Sequence, residues 1–270
     1  MLLLAALLLT ACGSSNTHSS DPIKSAGVLR VGTEGVYPPY SFHDAKQGGQ
    51  LAGYDVDVAK AVGDKLGVDV EFVETPWDAM FAALEADRFD IVANEVTVSE
   101  ERKQKYDLSE PYSISQGVIV TRKDDDSIKS LADLKGKRTA QNPTSNWAEI
   151  ARNAGAEVES VDGFSQAITV LNDGRVDAVV NDSISVLAYQ AEHPDAPIKV
   201  AVKLDERGEQ AFAARKDSGL LPELNKALDE LRADGTLTKI SKKYLDVDLS
   251  KAGPTSTWQL ILDNLWPLAR

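Results

Sequence analysis

The chain of 270 residues has a single cysteine, Cys12. It cannot close an internal disulfide, so packing alone must hold the fold. Histidine is almost as scarce. His18, His43 and His193 are scattered, and no His-Glu-x-x-His spacing occurs. Neither a metal site nor a histidine-centred triad is therefore legible, and no cofactor is expected. Basic residues are in deficit. Lys and Arg number 29 against 42 Asp and Glu, a net charge of −13. That excludes a nucleic-acid binder, which needs a basic face, and loose adsorption to anionic lipid. Long apolar runs are few, and the run over 1–11 is too short to span a bilayer stably.

What is present is a globular composition. Hydrophobic residues make up 43% of the chain, enough to bury one large domain or two ordinary ones. Residues 1–12 read as a secretory signal with small residues before a cleavage point. The ending Leu9-Thr10-Ala11-Cys12 resembles the bacterial lipobox, in which the Cys is lipidated and becomes the new N-terminus. The alternative is a signal peptide with an incidental thiol. The usual basic lead-in is missing, so an upstream start is one expectation. Residues 13–27 read as a flexible polar tether.

From residue 28 the pattern alternates strand and helix. Strands are expected over 28–33, 68–72 and 90–93, with helices over 54–66 and 77–87 between them. Residues 34–40 read as a turn-rich loop. A second series follows Pro111-Tyr112. Its strands are expected at 117–121, 138–141, around Val158 and at 178–180, and its helices at 130–135, 146–154, 164–172 and 184–192. Such alternation is the mark of a parallel sheet with covering helices. A last strand at 210–215 and helices at 220–233 and 237–244 are too few for a third domain. They are expected to pack back on the first unit, so the chain crosses between lobes twice, near 115–117 and 208–210. The expected division is 28–115 with 209–250 as lobe 1 and 116–208 as lobe 2. The tail 251–270 is apolar. It is read either as a packed terminal segment or as the start of a fused membrane permease.

Two short stretches carry functional weight. In the first, the run 90–93 gives way to Asn94-Glu95-Val96-Thr97, where the strand is expected to end. Ser99 is placed as a helix N-cap with Glu100 and Glu101 in the first turn. Arg102 then lies close to the strand end, where a planar guanidinium can grip a small carboxylate. The competing reading pairs Arg102 with Glu101 or Asp107 on a solvated face. In the second, Arg88-Phe89-Asp90-Ile91-Val92-Ala93-Asn94-Glu95 is echoed by Arg175-Val176-Asp177-Ala178-Val179-Val180-Asn181-Asp182. The echo puts Glu95 and Asp182 at the carboxyl ends of equivalent strands, where open α/β sheets hold ligands.

A family resemblance joins these stretches. The order of Gly32-Thr33-Glu34-x-x-Tyr37-Pro38-Pro39-Tyr40, Gly53-Tyr54-Asp55-Val56-Asp57 and Thr97-Val98-Ser99-Glu100-Glu101-Arg102 resembles the extracellular solute-binding proteins of polar-amino-acid ABC transporters. So do Tyr106-Asp107-Leu108-Ser109-Glu110-Pro111-Tyr112, Leu131-Ala132-Asp133-Leu134-Lys135-Gly136-Lys137 and Gly174-Arg175-Val176-Asp177-Ala178. The resemblance implies a two-lobed periplasmic-binding-protein fold of type II, an α/β architecture with two hinge strands. It implies an extracytoplasmic, lipid-anchored monomer that works with ABC permease subunits.

It also implies roles. Arg102 would clamp the ligand carboxylate, helped by Thr97 and Ser145, and Thr144 is a further ligand-binding residue. Asp182 would take the ammonium, with Glu95 nearby. Tyr37 and Trp77 would flank the ligand side chain, and Glu34 and Asn146 would reach its far end. The stretches around Glu34, Trp77 and Asn94 resemble the cystine-binding branch, which usually has Gln where this chain has Glu95. Cystine is the favoured ligand. Lysine, arginine or ornithine is the alternative, because Glu34, Glu95 and Asp182 against one Arg make the pocket acidic. An enzyme of the cyclohexadienyl dehydratase kind shares this fold family, with Glu95 as its only candidate base. A receptor-type sensor would need a signalling domain this chain does not show.

Overall fold

A computed structural model describes residues 26–245 together with Ile23 and Asp248. Cys12, the tether before residue 23 and the tail 251–270 lie outside the described residues. Twelve strands and eight α-helices are described: β1 (Val28–Thr33), β2 (Val36–Tyr37), β3 (Ser41–Asp44), β4 (Gln50–Ala52), α1 (Tyr54–Leu66), β5 (Asp69–Glu74), α2 (Trp77–Glu85), β6 (Ile91–Thr97), α3 (Glu100–Lys105), β7 (Tyr106–Leu108), β8 (Ser113–Arg122), β9 (Arg138–Gln141), α4 (Asn146–Asn153), β10 (Glu157–Ser160), α5 (Phe164–Asn172), β11 (Val179–Asp182), α6 (Ser183–Glu192), β12 (Ile198–Arg215), α7 (Leu221–Ala233) and α8 (Thr236–Leu245).

The expected α/β alternation forms two lobes. In the first, β5, β1 and β6 run parallel, and β12 closes their edge antiparallel to β6. Helices α1, α7 and α8 cover one face through Val58, Val62, Leu224, Leu228 and Leu237. Helix α2 covers the other through Met80 and Leu84, packed on Phe89, Val92 and Val96. In the second, β8 pairs with β11 and with the start of β12, while β9 bridges to Ala178 and pairs with β10. Helices α5 and α6 lie on one face through Ile168, Leu171 and Val186. Helix α4 lies on the other through Trp147 and Ala151. Each lobe is thus three layers with an apolar core on both sheet faces.

Strands β8 and β12 join the lobes. They pair from Ser113 and Gln210 in one to Arg122 and Ile198 in the other, with register shifts between Lys203 and Arg207 and between Val200 and Val202. Gly117 lies on this ribbon, where a Cβ would come within 2.9 Å of the Trp147 ring. Only a residue without a side chain lets that tryptophan lie against the strand.

Three departures from expectation bear on the site. Strand β6 does not stop at Ala93 but runs through the polar stretch to Thr97. It does so over a bulge: Val92 faces Ala213 and Val96 faces Ala211, so the longer β6 segment arches between them. Glu95 sits in that arch at φ +50°. Strand β12 begins at Ile198, twelve residues before the expected 210. Residues 34–40 and their sequel form a small three-stranded sheet, β2–β3–β4, rather than a loop alone.

Candidate functional site

The sequence echo is a structural repeat. Asp90 and Asp177 each follow a tight turn and each bind an arginine's backbone on the neighbouring strand. Asp90 accepts from the Arg30 amide at 2.8 Å and its own amide donates to the Arg30 carbonyl at 2.9 Å. Asp177 does the same with Arg138, at 2.8 Å both times. The two clips set β6 and β11 alike, so Asn94 and Asn181 reach one cavity from opposite lobes.

That cavity lies between the lobes. Of the residues expected from sequence, Glu34, Tyr37, Trp77, Glu95, Ser145 and Asn146 line it. Asn94, Asn142, Trp147, Phe164 and Asn181 also line it and were not foreseen. The echo held a signal for two of them, since each repeat ends in Asn before its acid. Thr97, Arg102, Thr144 and Asp182 do not line the cavity.

The wall is acidic. Glu34 accepts from the Asn94 amide nitrogen at 2.6 Å, and burial pushes its carboxyl up to about 7. Glu95 is 8% exposed. Its Oε1 accepts from Ser113 at 2.7 Å, and its buried Oε2 has no hydrogen-bond partner. Its amide donates at 2.6 Å to Asp55, which is wholly buried in the first turn of α1. Burial first, and then the neighbouring Asp55 charge, push the Glu95 carboxyl well above its usual range. The left-handed backbone at Glu95 is a local strain that the Asp55 clip holds in place. Helix α1 is in turn seated by Gly53, at φ +132°, whose missing Cβ would lie 2.1 Å from the Tyr40 carbonyl oxygen.

Asp182 is internally satisfied. Its Oδ1 accepts from the Tyr40 hydroxyl and from the amides of Ile184 and Ser185, all at 2.9 Å, which makes it the N-cap of α6. Its Oδ2 accepts from the Tyr37 hydroxyl. Tyr37 and Tyr40 belong to one lobe and Asp182 to the other, so these bonds tie the lobes together. A second tie runs from the Thr144 hydroxyl to Asp78 at 2.6 Å.

Arg102 is half-buried, and the surface reading of its role is not realised. Glu101 pairs with Lys105 and Asp107 with Lys216. Among the described residues no carboxylate lies in ion-pair range of Arg102. One guanidinium nitrogen donates to the Thr97 carbonyl at 2.7 Å. The group stacks over Trp77 at 5.3 Å and Phe81 at 5.6 Å. Desolvation brings its pKa down to about 10, still charged at neutral pH. Arg102 is thus one aromatic ring removed from the cavity, because Trp77 lines it. The Trp77 indole N–H is itself buried without an acceptor. Ser99 caps α3 as expected, accepting from the Arg102 amide at 3.2 Å. Ser145 caps α4, accepting from the Ala148 amide at 3.1 Å. Among the described residues no group of three or more metal-ligating side chains comes together, and no helix is long and apolar enough to cross a membrane.

A closed cleft between two α/β lobes, walled by acids, amides and aromatic rings, defines a binding protein for a small polar molecule. Residues 29–247 match the family described as bacterial extracellular solute-binding proteins, family 3, and the chain belongs to that family. The chain is 46% identical to the L-cystine-binding protein TcyA of Bacillus subtilis, over 90% of this chain and 94% of the relative. Among solved structures it is similar to an ancestral arginine-binding protein bound to arginine, at 43% identity and a TM-score of 0.75, covering 81% of this chain and 98% of the other. It is also similar to the L-cystine solute receptor of Neisseria gonorrhoeae in the unliganded open conformation, at 44% identity and a TM-score of 0.56, covering 83% and 94%. The fold is thus the type II periplasmic-binding-protein fold, and the protein is a solute-binding protein and not an enzyme.

Proposed function

We propose that the protein captures a free amino acid, L-cystine, between its lobes and delivers it to an ABC permease at the cell surface, held there by a lipid on Cys12. The single observation that carries amino-acid binding is the pattern of unpaired charge. A buried carboxylate at Glu95 lacks a partner on one oxygen, and among the described residues no carboxylate lies in ion-pair range of the half-buried Arg102. A protein seldom leaves charge of both signs uncompensated around one cleft, since each costs several kcal/mol. A zwitterion supplies both missing partners. Its carboxylate would meet Arg102, Thr97 and Ser145, and its ammonium Asp182 and Glu95. Tyr37 and Trp77 would flank the side chain, with Glu34 and Asn146 at its far end.

The lobes would hinge near 115–117 and 208–210, where β8 and β12 pass between them. The similarity figures support a closed arrangement. At nearly equal identity, the match is better to the ligand-bound relative than to the open one, 0.75 against 0.56. The relationship to TcyA favours cystine. A second reading, a cationic amino acid, is favoured by the unpaired Glu95 and by the arginine-bound relative. A thermal-shift screen of the twenty amino acids with cystine and ornithine tests both. Cystine is expected to give the largest rise in melting temperature. A larger rise with arginine, lysine or ornithine selects the second reading, and no rise with any of them refutes amino-acid binding.

A further inference from the structure

Three acids, Asp55, Glu95 and Asp182, converge where the lobes meet, and among the described residues no basic side chain bonds Asp55 or Glu95. Glu95 lies in the arch of β6. Facing it are Asp55 and Tyr54 from α1, Tyr112 and Ser113 from β8 and its approach, Asp182 from β11, and Tyr37 and Tyr40 from the small sheet and its turn. Every titratable group in that shell is a carboxyl or a phenol. The nearest guanidinium in the field of Tyr54, Arg232, donates to the Pro111 carbonyl at 2.7 Å and to Asp229 at 3.0 Å.

Asp55 clips the backbone of Glu95, and its charge acts on the Glu95 carboxyl. The Glu95 amide donates to Asp55 Oδ2 at 2.6 Å, and Ser113 donates to Glu95 Oε1 at 2.7 Å. The other oxygens, Asp55 Oδ1 and Glu95 Oε2, are buried without a hydrogen-bond partner. Glu95 is 8% exposed and still reaches the cavity wall. Two ionised carboxylates side by side in a dry site repel and cannot both be desolvated cheaply, so one is neutralised by a proton. A ligand ammonium at the cavity wall supplies the same neutralisation.

We propose that the Asp55–Glu95 pair holds one proton in the empty cleft and gives it up to solvent when the ammonium of a bound amino acid takes its place. The inference rests on the amino-acid reading of the cleft. Binding is then linked to pH in a fixed direction. The ligand competes with a proton, so affinity rises with pH over the range in which the empty pair is protonated. The limit of that linkage is about tenfold per pH unit for one proton. Burial raises both carboxyls, joined for Glu95 by the charge of Asp55 and for Asp55 by the charge of Asp182, which puts the linked range above that of an ordinary carboxyl.

Isothermal titration with L-cystine and with L-arginine as probes, in phosphate and in Tris at each of several pH values, measures it. The dependence of the observed enthalpy on buffer ionisation enthalpy gives the protons exchanged. Release approaching one proton per ligand at the acid end, falling to zero as pH rises, is expected. Glu95→Gln should lose the release and bind with little pH dependence, and Asp55→Asn provides the same readout if that variant does not bind. Zero exchange, proton uptake, or release that persists unchanged in the Glu95 and Asp55 variants overturns the inference. Absence of any binding by wild type overturns the amino-acid reading itself, and the inference with it.

Discussion

Replacing Asp182 with Asn separates two roles the residue would play. The carboxylate accepts four hydrogen bonds, from Tyr37, Tyr40, Ile184 and Ser185. An asparagine oxygen can keep the three that fall on Oδ1. Its NH2 group would replace Oδ2, and the Tyr37 hydroxyl can turn to accept from it. The helix cap therefore survives, because Asn caps about as well as Asp. What goes is the extra strength of charge-assisted bonds, about 1 kcal/mol for each, partly offset by no longer burying a charge. A net loss of about 1–2 kcal/mol lowers the melting temperature by roughly 2–8 °C for a domain of this size. The effect on binding is larger if Asp182 takes the ammonium. Removing one partner of a buried charge pair costs about 2–5 kcal/mol, or roughly 30- to 5,000-fold in Kd. Thermal melting and isothermal titration on the same preparation read the two numbers. A melting temperature that falls while Kd stays within a factor of about three would refute the ammonium role and leave Asp182 as a cap and lobe tie.

Arg102→Ala should weaken ligand binding by at least about 100-fold, since it strips the one guanidinium beside the cleft and leaves a carboxylate unpaired. Titration calorimetry reading an unchanged Kd would remove the clamp. Gly53→Ala forces a Cβ to within 2.1 Å of the Tyr40 carbonyl at a φ that L-residues avoid. It should cost about 2–4 kcal/mol and lower the melting temperature by roughly 5–15 °C; a shift under a degree would contradict that packing. The raised pKa of Glu95 has a stability consequence with a definite sign. A carboxyl whose folded pKa lies above its unfolded value favours the fold below the unfolded pKa and loses that contribution as pH rises through the folded one. Glu95→Gln cannot ionise, so without ligand its melting temperature should gain on wild type as pH rises from about 5 to about 8. A constant difference, or the opposite trend, would contradict the burial of an unpaired acid.

Where the sequence carried strong local signals, the elements came out as read. Helix α1 runs Tyr54–Leu66 because glycines bound it, and Gly67 takes the left-handed cap that ends it. Helix α5 and strand β9 match their expected ranges for a similar reason, since apolar spacing and punctuation agree. Strand β12 was half missed. Its first half mixes Lys199, Lys203, Asp205 and Arg207 with its apolar residues, and it is a strand because β8 pairs with it, not because of any period of its own. Strand β6 was cut short at Ala93 because a bulge lets polar Asn94 and Glu95 sit inside a buried strand.

Part of the cavity's lining was legible. Glu34, Tyr37, Trp77, Glu95, Ser145 and Asn146 line the cavity. The site was not legible where lobe packing decides. Nothing local says that Tyr40 spans the lobes to Asp182, or that Arg102 rests on Trp77 behind the wall. Asp55 lay within the Gly53-Tyr54-Asp55-Val56-Asp57 stretch, and only the tertiary structure shows that its carboxylate clips the backbone of Glu95.

On the proposed reading a zwitterion fills the charges the protein leaves open. A crystal structure with L-cystine, or with L-arginine if cystine does not bind, tests it most directly. Density is expected between the lobes, with the ligand carboxylate within hydrogen-bond distance of the Arg102 guanidinium and its ammonium on Asp182 or Glu95. A ligand bound in the cleft with its carboxylate turned away from Arg102, or bound outside the cleft altogether, would contradict it.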